Sequence, residues 1–394
     1  MLSVSFSKAK QDIHHQNILK TRSNIMKQLK GTALYCGIGV SLKEMEEHLK
    51  MASELGINAV FTSLQLPEAN KDEVLRDFRP MADIAHHYGM LVDADLSTRS
   101  ARMFGIDPKN FKEIKSFGVD IARLDGGYTD EETVNAINND VGIIIDLNAS
   151  SITEKKLEIY TKLGANTEQV RFCHNYHPMR YTGLSVNDAK KQHKLIHDYG
   201  FRVSGFIPSL NHQRIGCSIG LPTLERHRFM DPHCSIQECY LLGFDDIFFG
   251  DDLASKEELT FLATLEPYVT EFRMKKTLDC DVNQWLDGRV MKGMGYGDNL
   301  DPIPIVRSAF INAESVYKPW EGFNDGIVAE RKRGDVSVCK KELLRYAGEI
   351  QIAKCDLPKD EYIGKIGEII PEDLPLLEIF NPKIGQKFKI SIVE

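Results

Sequence analysis

No run of about 18 apolar residues occurs anywhere in the 394-residue chain, so the sequence predicts no membrane-spanning helix. The apolar core of a signal peptide is missing as well, since the first 30 residues are polar and mildly basic. They read as a loose extension, 1–30, before a fold that begins near Gly31, and Met26 offers an alternative start. The eight cysteines (36, 173, 217, 234, 239, 280, 339 and 355) contain no C-x-x-C pair. That excludes a disulfide frame and predicts reduced thiols in a cytoplasmic protein. Positive charge is also short. Lys and Arg number 49 against 57 Asp and Glu, giving a net charge of −8. No nucleic acid and no anionic membrane is expected as a partner, although a local basic pocket is compatible with this balance. The histidines of "CHNYH" and "RHRFMDPHCS" lack a ligand spacing such as H-E-x-x-H, so no metal site is expected. No Gly-rich turn follows the first predicted strand, which argues against a doubly wound dinucleotide fold.

What is present is alternation. Short apolar runs are "ALYCGIGV" (33–40), "NAVFTSL" (58–64), "MLVDADL" (90–96), "DIARLD" (120–125), "GIIIDLN" (142–148), "QVRFCHN" (169–175), "RVSGFIP" (202–208) and "DDIFFGD" (245–251). Near-continuous apolar runs of this kind suit parallel strands buried on both faces. Between them lie helical patterns such as "SLKEMEEHLKMASELG" and "SVNDAKKQHKLIHDYG", each opening on a Ser cap and closing on Gly. Eight strand–helix units in about 235 residues predict a (β/α)8 TIM barrel over 31–268, within the α/β class. After about residue 270 the helical pattern stops. "RKRGDVSV", "YAGEIQIAKCDL" and "IGKIGEIIP" alternate β-like runs with turns, predicting a small all-β barrel or sandwich over 269–394.

Active sites of such barrels lie at the C-terminal ends of the strands. Residues two apart on a strand share a face. The strand ends offer Asp93 and Asp95, Arg123 and Asp125, Asp146 and Asn148, Cys173 and Asn175, and finally Asp251 with Asp252. Converging carboxylates lose hydration and repel, so they cost stability unless function uses them. They suit glycoside hydrolysis, in which one acid protonates the leaving oxygen and a second attacks or activates water. They suit equally a divalent metal in a sugar-phosphate isomerase or aldolase. A non-catalytic sugar-phosphate-binding protein is the third reading.

The loop "YHPMRYTGL" leaves the sixth strand. His174 and Asn175 stand at the strand tip, and Arg180 can fork onto a phosphate. Tyr176 or Tyr181 can stack on a sugar face, and Thr182 and Gly183 can turn backbone N–H groups toward an oxyanion. In the long seventh loop, Arg214 and Ser218 are further phosphate candidates. Glu225 is either a substrate contact or a first-turn carboxylate favoured by the helix dipole.

"RLDGGY", "DLNASS", "CHNYHPMRYTGLS" and "GLPTLERHR", in this order on a barrel, resemble the bacterial 6-phospho-N-acetylmuramidases. The resemblance covers residues 32–394. It implies a TIM barrel followed by a cyclophilin-like β-domain that closes over the mouth or supports a homodimer. It further implies cytoplasmic hydrolysis of N-acetylmuramic acid 6-phosphate from N-acetylglucosamine during peptidoglycan recycling. The substrate is then a small phosphorylated disaccharide, with no cofactor. Asp125 and Asp146 are the expected acid/base and nucleophilic or water-activating pair, with Asp93 beside them. Arg123, Asn148, His174, Asn175, Arg180, Tyr181, Thr182, Arg214, Glu225 and Asp251 are the expected substrate contacts. Asp146 stands where many relatives carry Glu, which shortens the carboxylate's reach by about 1.5 Å.

Overall fold

The computed structural model describes residues 28–124, 127–214, 219–294, 304–308, 326–381 and 386–394. Eight parallel strands close into a barrel in chain order. They are β1 (Lys30–Ala33), β2 (Ala59–Ser63), β3 (Leu91–Leu96), β4 (Ile121–Leu124), β5 (Ile144–Asn148), β6 (Val170–Cys173), β7 (Arg202–Ile207) and β8 (Asp246–Asp252). Seven of the eight apolar runs coincide with these strands.

The first strand begins earlier than its apolar run suggests. "ALYCGIGV" contributes only Ala33 to β1. Beyond it Tyr35 is tied down, its N–H donating to Asp252 at 2.9 Å and its hydroxyl to the Gly250 carbonyl at 2.7 Å. At the other end Gly31 is required by crowding, since a Cβ there would lie 2.0 Å from the Phe248 ring. Apolar content places a segment inside, but strand length is set by where the ladder and the neighbouring ring leave room.

The helices follow their caps. Ser41 and Glu44 form a reciprocal capping box for Leu42–Glu54, and the Ser185 side chain accepts the Asp188 N–H to start Val186–Asp198. The chain leaves these helices through Gly56 and Gly200, both at φ +94°, a conformation that a side chain would strain. None of the helices among the described residues is long and apolar enough to cross a membrane.

The chain separates into two compact units. One comprises residues through Arg228 with Phe244–Leu259, and the other comprises Phe229–Gly243 with Thr260–Glu394. The second holds a seven-stranded sheet in the order β10-β15-β9-β14-β12-β13-β11. Its strands are β9 (Val269–Lys276), β10 (Met291–Lys292), β11 (Ile305–Arg307), β12 (Asp335–Cys339), β13 (Ile350–Ala353), β14 (Ile363–Ile369) and β15 (Lys387–Val393). The sheet is mixed, because β15 runs parallel to β9 over seven residue pairs while the other pairings are antiparallel. Its core packs Phe272, Val336, Ile350, Ile366, Phe380 and Phe388. Helices belong to this unit too. Asp281–Leu286 and Leu376–Ile379 are too short to show a period in the sequence, and Pro232–Leu242 arrives from between β7 and β8.

Candidate active site at the barrel mouth

Alternation along each strand decides which of the polar residues face inward. Leu91, Ile121 and Ile144 pack in the barrel interior, so Asp93 and Asp95, Arg123, and Asp146 share that face. Asp93 and Asp146 confirm it, because β3 and β5 are not neighbours and yet the two carboxyls interact directly. Both are fully buried, at 1% and 0% exposure, one step below the mouth. Asp125, two residues beyond Arg123, lies outside the described residues.

No donor reaches either Asp146 oxygen, and Oδ1 of Asp93 is likewise unpaired. Two carboxylates in a dry barrel cannot both ionise, and one shared proton gives them the missing donor. Burial, and then the charge of Asp146, holds Asp93 well above the usual carboxylate range. Burial raises Asp146 as well, but Arg171 and Arg123 pull it back. Asp93 therefore keeps the proton. Arg123 donates to the Asn175 side chain and, at 3.5 Å, to the Cys173 carbonyl, amid the charges of Asp95, Asp146 and Asp93.

The next step up is the mouth. Asp95 is only partly buried and accepts the Ser63 hydroxyl at 3.3 Å. Arg214 enters from the seventh loop. It donates to the Tyr176 hydroxyl at 3.1 Å, pairs with Glu68 at 3.3 Å, and lies 5.0 and 5.3 Å from the Tyr35 and Tyr176 ring centres. Arg214 is only 3% exposed, so it is a fixed wall of the mouth rather than a surface hand. Asp252 at the end of β8 is raised to about 7 by burial, despite the Tyr35 N–H and Arg214. Tyr35 is thus a mouth residue that no sequence signal singles out, while Tyr176 is a stacking candidate and Asp252 a strand-end carboxylate, at i+2 from Gly250 on the inward line.

Several expected contacts are placed elsewhere. His174 is a correction. It lies between the inward Cys173 and Asn175, so its ring points to the helix layer, 3.1 Å from His193 and 2.9 Å from the Ser150 hydroxyl. Asp251 also alternates out. It accepts the backbone N–H groups of Ser209, Arg214 and Leu221 at 3.0–3.1 Å and so shapes the seventh loop. Asn148 turns back to the Ser150 N–H and lines a cavity of about 250 Å³ with Tyr128 and Lys156.

Arg180, Tyr181 and Thr182 are exposed on the sixth loop, Tyr181 at 88% and φ +67°. The Thr182 hydroxyl is spent on the Met179 carbonyl at 2.7 Å. The oxyanion met by the loop's N–H groups is the protein's own Glu225, which accepts Gly183 at 2.9 Å. Arg228 holds Glu225 from the other side at 2.7 and 2.8 Å, and these bonds lower its carboxyl to about 2. The same guanidinium, 1% exposed, donates to the carbonyls of His177, Met179, Gly220 and Ile219. Gly183 has to be glycine, since a Cβ would lie 2.6 Å from the Glu225 nitrogen. The segments "CHNYHPMRYTGLS" and "GLPTLERHR" are therefore two halves of one stapled structure beside the mouth.

Among the described residues one group could offer a metal three donors, Asp231, His233 and Asp373 in the second unit. Arg273 already occupies the charge position, bonding both Asp231 and Asp373.

These features define a (β/α)8 barrel with a polar, charge-lined mouth, followed in the chain by a mixed-sheet unit. The chain belongs to the 6-phospho-N-acetylmuramidase family: residues 30–264 match its N-terminal domain and residues 306–391 its C-terminal domain. No curated protein matches the chain. Among solved structures it is similar to an uncharacterized protein of B. cereus, with 24% identity over 94% of this chain and 100% of that one and a TM-score of 0.77. A conserved protein of unknown function from Enterococcus faecalis gives 23% identity over 92% and 96%, with a TM-score of 0.66. Both likenesses concern the fold.

Two outcomes are expected. Arg228→Met strands buried carbonyls and the Glu225 charge, costing about 3 kcal/mol in denaturant unfolding, and Arg228→Lys does not rescue it because an ammonium cannot fork. For Asp93, the native state binds a proton that the unfolded chain has already lost. Wild-type stability therefore falls as pH rises from the ordinary carboxylate range toward the raised native value. Asp93→Asn flattens that fall in thermal unfolding as pH rises above the ordinary carboxylate range. Parallel losses in wild type and variant would disprove the shared proton.

Proposed function

We propose that this chain is a cytoplasmic glycoside hydrolase that releases N-acetylglucosamine from N-acetylmuramic acid 6-phosphate disaccharides in peptidoglycan recycling. The observation that carries this reading is the ring of Asp95, Arg123, Asn175, Tyr176, Tyr35, Arg214 and Asp252 at the mouth of a barrel of this family. Its Tyr176 ring offers a face to a sugar, and its Asp252 carboxyl, raised to about 7, can hold a proton near neutrality as an acid role demands.

In this reading Asp252, raised to about 7, is the general acid that protonates the leaving oxygen. Asp95, open to the mouth, is the nucleophile or water-activating base. Asp125, two residues after Arg123 in the sequence, is the other carboxylate for that role. Asp146 and Asp93 serve from beneath. They lie one inward step before the strand tips, and they hold Arg123 charged and oriented toward Asn175.

The test is to incubate the purified protein with phosphorylated and unphosphorylated disaccharides. N-acetylglucosamine is expected from the phosphorylated one alone, and cleavage of neither would sink the proposal. Abolition by a chelator would point instead to a metal-dependent isomerase or aldolase. Because a general acid must hold its proton, the rate should fall as pH rises through about 7. Asp252→Asn is expected to lose at least ~100-fold in rate, and the residual rate should no longer show that alkaline limb.

A further inference from the structure

A cavity of about 370 Å³ opens on the rim between the segments that leave β2 and β3. That is the size of a small-ligand site. Its wall includes Ser63, whose hydroxyl bonds Asp95, so one residue of the cavity wall touches a carboxylate of the mouth. Leu64, Leu66, Val74 and Met103 give it apolar surface, and Lys71 and Arg99 line it from two different helices.

These two cations have no other task. Neither forms an ion pair or a side-chain hydrogen bond among the described residues, in a chain whose net charge is −8. The nearby acids are committed elsewhere. Glu68 pairs with Arg214 at 3.3 Å, and Glu73 accepts the Asn70 amide at 3.4 Å. Lys71 gains nothing from its own helix, whose dipole favours Asp72 and Glu73 at that end. The hydroxyls of Ser97 and Ser100 are tied into a capping box and add no competing charge.

We propose that this cavity seats the phosphate monoester of the substrate, gripped by Lys71 and Arg99. A guanidinium supplies a planar fork and an ammonium a mobile point charge, a pairing suited to a dianionic phosphate. The apolar wall would then lie against the sugar carbon that carries it. This assignment rests on the reading of the mouth as a phosphosugar hydrolase site. It moves the phosphate away from Arg214, which is enclosed by Tyr35, Tyr176 and Glu68.

The experiment compares wild type with the double variant Lys71→Gln/Arg99→Gln. With phosphorylated disaccharide, KM is expected to rise at least tenfold. Inorganic phosphate should compete with substrate in the wild type and lose at least tenfold in inhibition constant in the variant. An unchanged KM, or phosphate competing equally with both proteins, overturns the proposal. A second measurement needs no turnover: inorganic phosphate is expected to raise the thermal midpoint of wild type and not of the variant, and equal shifts overturn the site. If the wild type cleaves neither disaccharide, the hydrolase reading fails, while the phosphate titration still decides the cavity.

Discussion

Charges inside a closed barrel have to neutralise one another, because solvent does not reach them. Asp246, fully buried, takes Arg171 at 3.1 Å, Arg202 at 2.8 Å and the Leu29 N–H at 2.6 Å. Arg171 stands in register beside Asp146, which shares a proton with Asp93, and Arg123 completes the set. The network therefore reaches from β3 to β8 through the middle of the barrel. An apolar core of the same volume would be as stable or more so, whereas removing one member of such a set costs roughly 3–5 kcal/mol. What the charges add is position. They fix Arg123 and the strand tips, and the mouth inherits that order.

Much of this was legible before any coordinates. Long apolar runs bounded by Ser caps and closing glycines specify parallel strands and helices, because both signals are local. Pairs at i, i+2 specify a shared face, and Asp93, Arg123 and Asp146 do turn inward together. The same rule, applied strictly, separates His174 from its neighbours Cys173 and Asn175 and sends it to His193. Depth was the part the sequence does not encode. Whether an inward aspartate touches substrate or lies one step beneath depends on barrel stagger, which no single strand records. The start of β1 shows the same limit, since it was decided by the Phe248 ring and the tether of Tyr35.

The two segments most specific to the family acquire a physical explanation. Arg228 is a buried guanidinium with five donors, and the only acceptors able to satisfy it are a carboxylate and several carbonyls held in one place. Glu225 supplies the carboxylate, and the loop from His177 to Gly183 supplies carbonyls and returns N–H groups to Glu225. Each segment is meaningless without the other, so both must keep their residue types. Residues that look like ligand contacts in isolation are here the frame that carries them.

Chemistry at the mouth then follows from a division between depth and access. A carboxyl that transfers a proton to a sugar oxygen must be within hydrogen-bond reach of it. Asp93 and Asp146 face each other and the buried guanidinium groups of Arg123 and Arg171. Two residues beyond Asp93, Asp95 is partly exposed, and Asp252, itself 1% exposed, ends β8 with an affinity for protons near neutrality. Burial thus lets the Asp252 carboxyl hold a proton near neutrality. In the proposed hydrolase reading Arg123, beside Asp95, and Arg214, beside Asp252, would steady the negative charge that shifts as the bond breaks. The interior pair does not take part in that exchange. Its shared proton lets Arg123, Arg171 and Arg202 lie beside Asp93, Asp146 and Asp246 in one barrel.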